Sequence, residues 1–200
     1  MWVDFFFGIG SRYSYLAAAQ LPRIASETGA EFRWRTLYSP DLIARTGCDP
    51  FDKRKSRGQY LEAYRTLDAH RWAAYLRLPY NEPKSCRTDW LILAKWCAAA
   101  ELIGAGPRFG EALFKRTFGS GVPPQNVTDL RALASSVRLS PEVMLDHVEA
   151  GAAEDLLGRN LENAVAVGAF GVPSFVTEDG SLFWGQDRLP LLAHHLQTLA

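Results

Sequence analysis

Trp2-Val3-Asp4-Phe5-Phe6-Phe7-Gly8-Ile9-Gly10-Ser11-Arg12-Tyr13-Ser14-Tyr15-Leu16 starts with an aromatic-rich apolar run, breaks at two glycines and resumes with helical spacing. The run over 2–7 reads as a buried central strand, and the glycines end it. From 13 to about 28, Leu16, Ala17, Leu21 and Ile24 share one face, which predicts an amphipathic helix. Pro22 inside that stretch is expected to kink it, and Gly29 to close it. Glu31–Leu37 alternates and predicts a strand half exposed to solvent. Strand, helix and strand so close in sequence make a β-α-β unit.

Beyond it the character changes. Residues 41–168 carry helical patterns, with helices expected over about 56–76, 87–103, 107–117, 127–135, 140–150 and 153–168. Ser140-Pro141-Glu142 is a helix start with a serine cap and proline at the first helical position, and Thr128-Asp129 suits another. The chain then returns to β character. A strand over 173–177, a turn at Glu178-Asp179-Gly180-Ser181 and a strand Leu182–Trp184 form a hairpin. A helix over 187–199 follows, with Leu189, Leu192, Leu196 and Leu199 on one face. The expected class is α/β: thioredoxin-like β-α-β and α-β-β-α halves separated by a large all-helical insertion. Residues 1–40 and 169–200, with the adjoining helix 153–168, would form the thioredoxin-like domain, and 41–152 the helical insertion domain.

Two hundred residues, 48% hydrophobic and 22% charged, suffice for one domain with a substantial core. Basic and acidic residues balance at 22 each, so no field draws the chain to nucleic acid or an anionic membrane. Cys48, Cys86 and Cys97 have neither CxxC nor zinc spacing. They read as incidental thiols of a protein in the reducing cytoplasm, and no metal centre is expected. Asp4 and Gly8 interrupt the N-terminal apolar run and no basic region precedes it, which argues against a signal peptide. No apolar stretch approaches the length of a membrane span.

Three places carry candidate chemistry. Ser11 stands at a strand-to-helix turn, where unpaired N–H groups and the helix dipole favour negative charge. Its hydroxyl either caps the helix or donates to a thiolate brought by a ligand. Val172-Pro173 precedes a strand; a cis bond there would present the Val172 backbone to an extended peptide, whereas a trans proline would only open an edge strand. Asp187, before the last helix, is either its N-cap or a partner for a ligand ammonium group. His70 reads as structural or exposed rather than as a general base.

These motifs resemble the 2-hydroxychromene-2-carboxylate isomerase family, glutathione-dependent enzymes related to kappa-class glutathione transferases and DsbA-type oxidoreductases. The resemblance rests on Asp4-Phe5-Phe6-Phe7, Ser11, Tyr13-Ser14-Tyr15-Leu16, Phe170-Gly171-Val172-Pro173-Ser174-Phe175 and Trp184-Gly185-Gln186-Asp187-Arg188-Leu189. Asp68-Ala69-His70-Arg71-Trp72 also matches a family segment. It implies glutathione as cofactor, with Ser11 as the catalytic residue holding its sulfur. Val172 and Pro173 would bind the cysteinyl backbone, and Trp184, Gly185, Gln186 and Asp187 the γ-glutamyl end. Arg45, Lys53, Arg54 or Arg57 would meet the carboxylate of a small aromatic substrate, and a homodimer is compatible with it. The implied reaction is a cis–trans isomerisation in which the thiol adds to a conjugated double bond, rotation follows, and the thiol leaves. The chain departs from the family pattern in Arg12, where proline is usual, and in the 52–57 segment, which lacks the family asparagine. A kappa-like glutathione transferase and a non-catalytic thioredoxin-fold binding module are the rival readings. A disulfide oxidoreductase is disfavoured because Ser11 and Ser14 occupy the cysteine positions.

Overall fold

A computed structural model describes residues 1–49, 61–83 and 88–199. Among these the sheet has four strands in the order β2-β1-β3-β4. The central strand β1 (Trp2–Gly8) pairs parallel with β2 (Glu31–Leu37), from Trp2 opposite Glu31 to Gly8 opposite Leu37. On its other side β1 pairs antiparallel with β3 (Ser174–Thr177), which continues antiparallel into β4 (Leu182–Trp184). Helices cover both faces, so successive β1 side chains are buried in opposite directions. Val3, Phe5 and Phe7 enter the large core, and Phe6 enters a smaller one with Leu37, Leu42 and Val176. The Phe5 ring stacks on Phe175 at 5.1 Å and meets Trp34 edge-on at the same distance.

The single kinked helix expected over 13–28 is instead two, α1 (Arg12–Ala18) and α2 (Leu21–Thr28). Pro22 lies in the first turn of α2, where its missing N–H has no intrahelical acceptor to lose. Gly29 closes α2 as expected, its N–H donating to the Ala25 carbonyl. A short helix absent from the expectation, α3 (Ser39–Thr46), follows β2 directly, with Pro40 in its first turn and left-handed Gly47 at its end.

The helical segment holds α4 (Glu62–Tyr75), α5 (Trp90–Leu102), α6 (Gly106–Phe114), α7 (Val127–Ser136), α8 (Pro141–Glu149) and α9 (Ala152–Ala166). The helices expected over 56–76 and 87–103 begin in part outside the described residues. The one expected over 107–117 ends in a π-helical turn, Lys115–Gly119. Thr128 and Asp129 lie in the first turn of α7 as expected, and Asn126 caps it by accepting the Asp129 N–H at 2.9 Å; Ser140 caps α8 as read, accepting from Val143. Helix α5 is apolar all round and sits at the centre of the packing, with Leu93, Trp96 and Cys97 buried. One continuous core joins it to the sheet, from Phe5 and Leu16 through Leu93 and Phe109 to Met144.

The Val172–Pro173 bond is cis, and β3 starts at Ser174 rather than at the proline. The helix expected over 187–199 is a 3-10 turn, Gln186–Arg188, followed by α10 (Leu189–Leu199). Asp187 therefore lies inside that turn, and Gly185 stands at its N-cap. No helix among the described residues is long and apolar enough to cross a membrane.

Candidate active site

The chain leaves β1 at Gly8, passes through Ile9-Gly10 and enters α1 at Ser11. Next to this turn, β2 runs into α3 and the segment Phe170-Gly171-Val172 approaches β3. Together they enclose a cavity of about 380 Å³. Its walls are largely apolar and aromatic, including Ile9, Leu37, Trp90, Phe170 and Trp184. Its polar residues are few: Ser11, Arg12, Tyr13, Tyr38, Ser39 and Arg65. That composition suits a flat organic ligand oriented by a small number of polar contacts.

Ser11 is both cap and cavity residue. Its Oγ accepts the Ser14 N–H at 3.2 Å, and its own N–H donates to the Gly8 carbonyl at 3.0 Å. Its hydroxyl proton has no acceptor among the described residues and remains available to a ligand. Ser14 is fully buried, and its Oγ accepts the Gly8 N–H at 3.4 Å, which ties α1 to the end of β1.

Across the cavity, the Val172 N–H and C=O make no hydrogen bond among the described residues. The backbone bonds of its neighbours are taken: Gly171 O accepts from Ser174 Oγ at 2.7 Å and Pro173 O from the Gly185 N–H at 2.9 Å. Val172 thus offers one donor and one acceptor, as a free strand edge does. A Cβ on Gly171 would stand 2.6 Å from Trp184 Nε1, so only glycine lets the indole close against this backbone. That Nε1 is buried and has no acceptor.

The structure brings Ser11, Val172 and Trp184 to one cavity, whose lining among the described residues does not include Pro173, Gly185, Gln186, Asp187 or Arg45. Pro173 and Gly185 hold the turn behind it. Gln186 is buried and accepts from Gln20 Nε2 at 3.3 Å, in a separate groove lined also by Arg71 and Trp72. Asp187 is half exposed, with a carboxylate oxygen 3.8 Å from Arg188. Arg45 points elsewhere, pairing with Glu162 at 3.0 Å on the surface. Lys53, Arg54, Arg57 and Cys86 lie outside the described residues. Cys48 is exposed and Cys97 buried. His70 is exposed and meets Tyr80 edge-on at 4.9 Å.

Among the described residues, the cations that line the cavity are Arg12 and Arg65, neither of them expected there. Arg12 reaches from α1 to α4 and to the segment after it: Nη2 lies 2.7 Å from Glu62 and 3.0 Å from Glu82, and Nη1 donates to Thr66 at 3.1 Å. Burial alone would lower the Arg12 pKa, but the Glu62 hydrogen bond and the Glu82 charge outweigh it and raise it. Burial likewise opposes ionisation of Glu62, and Arg12 overrides it, so its pKa is lowered. Arg65 pairs with the same Glu62. Burial, and then Asp68, which accepts the Tyr13 hydroxyl at 3.1 Å, push the Tyr13 pKa up, keeping it protonated. Arg12 was visible as a departure from the family motif. Its partners were not, because they lie at least 50 residues away.

Comparison with known proteins adds to this geometry. The family model described as a DSBA-like thioredoxin domain matches residues 2–197. A 2-hydroxychromene-2-carboxylate isomerase from Sphingobium xenophagum is 28% identical over 197 residues, covering 97% of each chain. A solved 2-hydroxychromene-2-carboxylate isomerase superposes with a TM-score of 0.83 at 21% identity, over 100% of this chain and 96% of that one. The cytosolic disulfide reductase DsbM of Pseudomonas aeruginosa, solved with GSH, superposes at 0.68 with 14% identity, over 100% and 96%.

Proposed function

This chain belongs to the DSBA-like thioredoxin family, and on that premise we propose that it is a glutathione-dependent cis–trans isomerase of aromatic keto acids of the 2-hydroxychromene-2-carboxylate type. One observation carries the reading: a hydroxyl with a free proton, Ser11, and an unpaired peptide edge, Val172, share a cavity with aromatic walls. A thiol-bearing peptide needs those two features, and an aromatic substrate needs the third. The serines at 11 and 14 leave no sulfur for disulfide exchange at this turn.

The residues present fit glutathione. Bound there, it would supply a thiol that adds to the conjugated double bond and is released unchanged. The chain's own groups orient and stabilise. Ser11 donates to the sulfur and favours its thiolate form. Val172 pairs with the peptide through its N–H and C=O. Trp184 and Phe170, whose ring centroids are 5.0 Å apart, form an apolar wall beside that edge. Gly185 and Pro173 fix the turn carrying Asp187, whose half-exposed carboxylate is assigned to the ligand ammonium group. Gln186 acts behind the site, through Gln20.

The test is interconversion of a hydroxychromene carboxylate and its ring-opened benzylidenepyruvate with glutathione present. The expected outcome is turnover with total thiol constant. Thiol consumption with chlorodinitrobenzene, and no interconversion, would make the chain a kappa-like transferase instead. Neither activity would leave a binding module.

A further inference from the structure

Ser39, the first residue of α3, lines the cavity, and no group among the described residues bonds its hydroxyl. Its position is built. A Cβ on Gly8 would collide with Ser39 Oγ, and the same point lies 3.3 Å from the Val172 side chain. The Gly8 backbone has no left-handed torsion that would itself call for glycine. The missing side chain is what lets the hydroxyl rest there. The Gly8 polar groups are bonded elsewhere, its N–H donating to Ser14 Oγ and its carbonyl accepting the Ser11 N–H, and neither bonds the Ser39 hydroxyl. No described group bonds that hydroxyl, so its proton is free for a ligand in the cavity that Ser39 lines.

We propose that Ser39 is a catalytic hydrogen-bond donor to the keto oxygen of the aromatic substrate, a role that rests on the isomerase function proposed above. In a conjugated keto acid the carbon attacked and the keto oxygen are three bonds apart. Donors for the thiol and for that oxygen must therefore be neighbours but not the same group. Ser11 and Ser39 both adjoin Gly8: the Ser11 backbone N–H donates to its carbonyl, and Ser39 Oγ fills the place a Gly8 side chain would take. Negative charge gathers on the keto oxygen as the double bond loses its π character, and a fixed donor there stabilises it. The Ser39 proton is shared and not transferred. Tyr38 also lines the cavity, but it is not held against Gly8 as Ser39 is.

The experiment reads the carbonyl directly. Benzylidenepyruvate labelled with carbon-13 at the keto position is bound without glutathione, and its infrared carbonyl band is compared between wild type, Ser39→Ala and Tyr38→Phe. The expected result is a band moved to higher frequency in Ser39→Ala alone. With glutathione, kcat of Ser39→Ala should fall about tenfold or more, as for loss of a bond to a charged group, while calorimetric glutathione affinity stays unchanged. Gly8→Ala should move the band as Ser39→Ala does, with Ser39 still present. An identical band in wild type and Ser39→Ala, or failure of the wild type to bind the keto acid, would overturn the proposal. Absence of glutathione binding together with the expected band shift would sink the glutathione reading and leave Ser39 as the carbonyl donor.

Discussion

At the scale of single residues, the two serines of the first motif have separable jobs. Ser11→Ala removes both the α1 cap and the free donor, so two losses are expected. Stability should fall by about 1 kcal/mol, the usual cost of a lost cap. Turnover should fall by about a hundredfold or more, as when one preorganised donor to a charged centre is removed. Undiminished turnover would take Ser11 out of the chemistry. Ser14→Ala should act on the fold instead, because it strips a buried N–H of its acceptor, which costs about 1–3 kcal/mol. Melting curves and rate assays on the two variants separate these effects. Asp187→Asn should weaken glutathione about tenfold by calorimetry, the lower end for a charge-assisted bond given its exposure. Since Asp187 lies inside the 3-10 turn and Gly185 stands at its N-cap, the melting temperature of this variant should not move. Ser11 could be read from its place between glycines and a helix. Ser39 could not, because what matters about it is the glycine 31 residues earlier on which it rests.

At the scale of elements, local signals located the helices and strands well and their junctions poorly. The break between α1 and α2 was missed because Pro22 was read against a continuous apolar face that in fact belongs to two short helices. Helix α3 was missed although Pro40 and Gly47 bracket it, because eight residues show too few turns for periodicity. Docking of α4 on α1 was beyond sequence reading, since it depends on Arg12 meeting Glu62, Thr66 and Glu82. The charge pattern of this contact has a definite sign. The folded Glu62 pKa is lowered, so its contribution is complete above the ordinary glutamate value and is lost as pH falls through the lowered one. Arg12→Met should reduce that acid-side loss, leaving Glu62 with Arg65 alone and Glu82 without the cation the two carboxylates share. The melting temperature should drop at neutral pH and converge on wild type in acid. A constant difference across that range would mean that Arg12 packs without electrostatic linkage.

At the scale of the whole molecule, the segment read as an insertion is bound to the sheet by a largely buried carboxylate. Glu101, near the end of α5, accepts the Thr36 N–H of β2 at 3.1 Å and an amide N–H of Asn160 on α9 at 3.2 Å, with Arg35 at 3.5 Å. Arg35 continues to Asp4 on β1 at 2.8 Å, so one polar chain links two strands and two helices. The sequence separations, 65 residues from Glu101 to Thr36 and 59 to Asn160, explain why no local pattern announced it. Here burial wins: it raises the Glu101 pKa despite the Thr36 and Asn160 bonds and the Arg35 charge. The sign is opposite to that of Glu62. A carboxyl with a raised folded pKa favours the folded state fully below the ordinary value, and that contribution is lost as pH rises through the raised one. Glu101→Gln keeps an acceptor oxygen for the Thr36 N–H and removes the titration. Its stability relative to wild type should therefore improve as pH rises through that window, whereas the relative stability of Arg12→Met should worsen as pH rises through its own, lower window. Denaturant titrations of the two variants across acid to neutral pH test both signs. If Glu101→Gln instead loses ground with rising pH, the Arg35 attraction outweighs the desolvation of the carboxylate, and the core junction is held by charge rather than by hydrogen bonds.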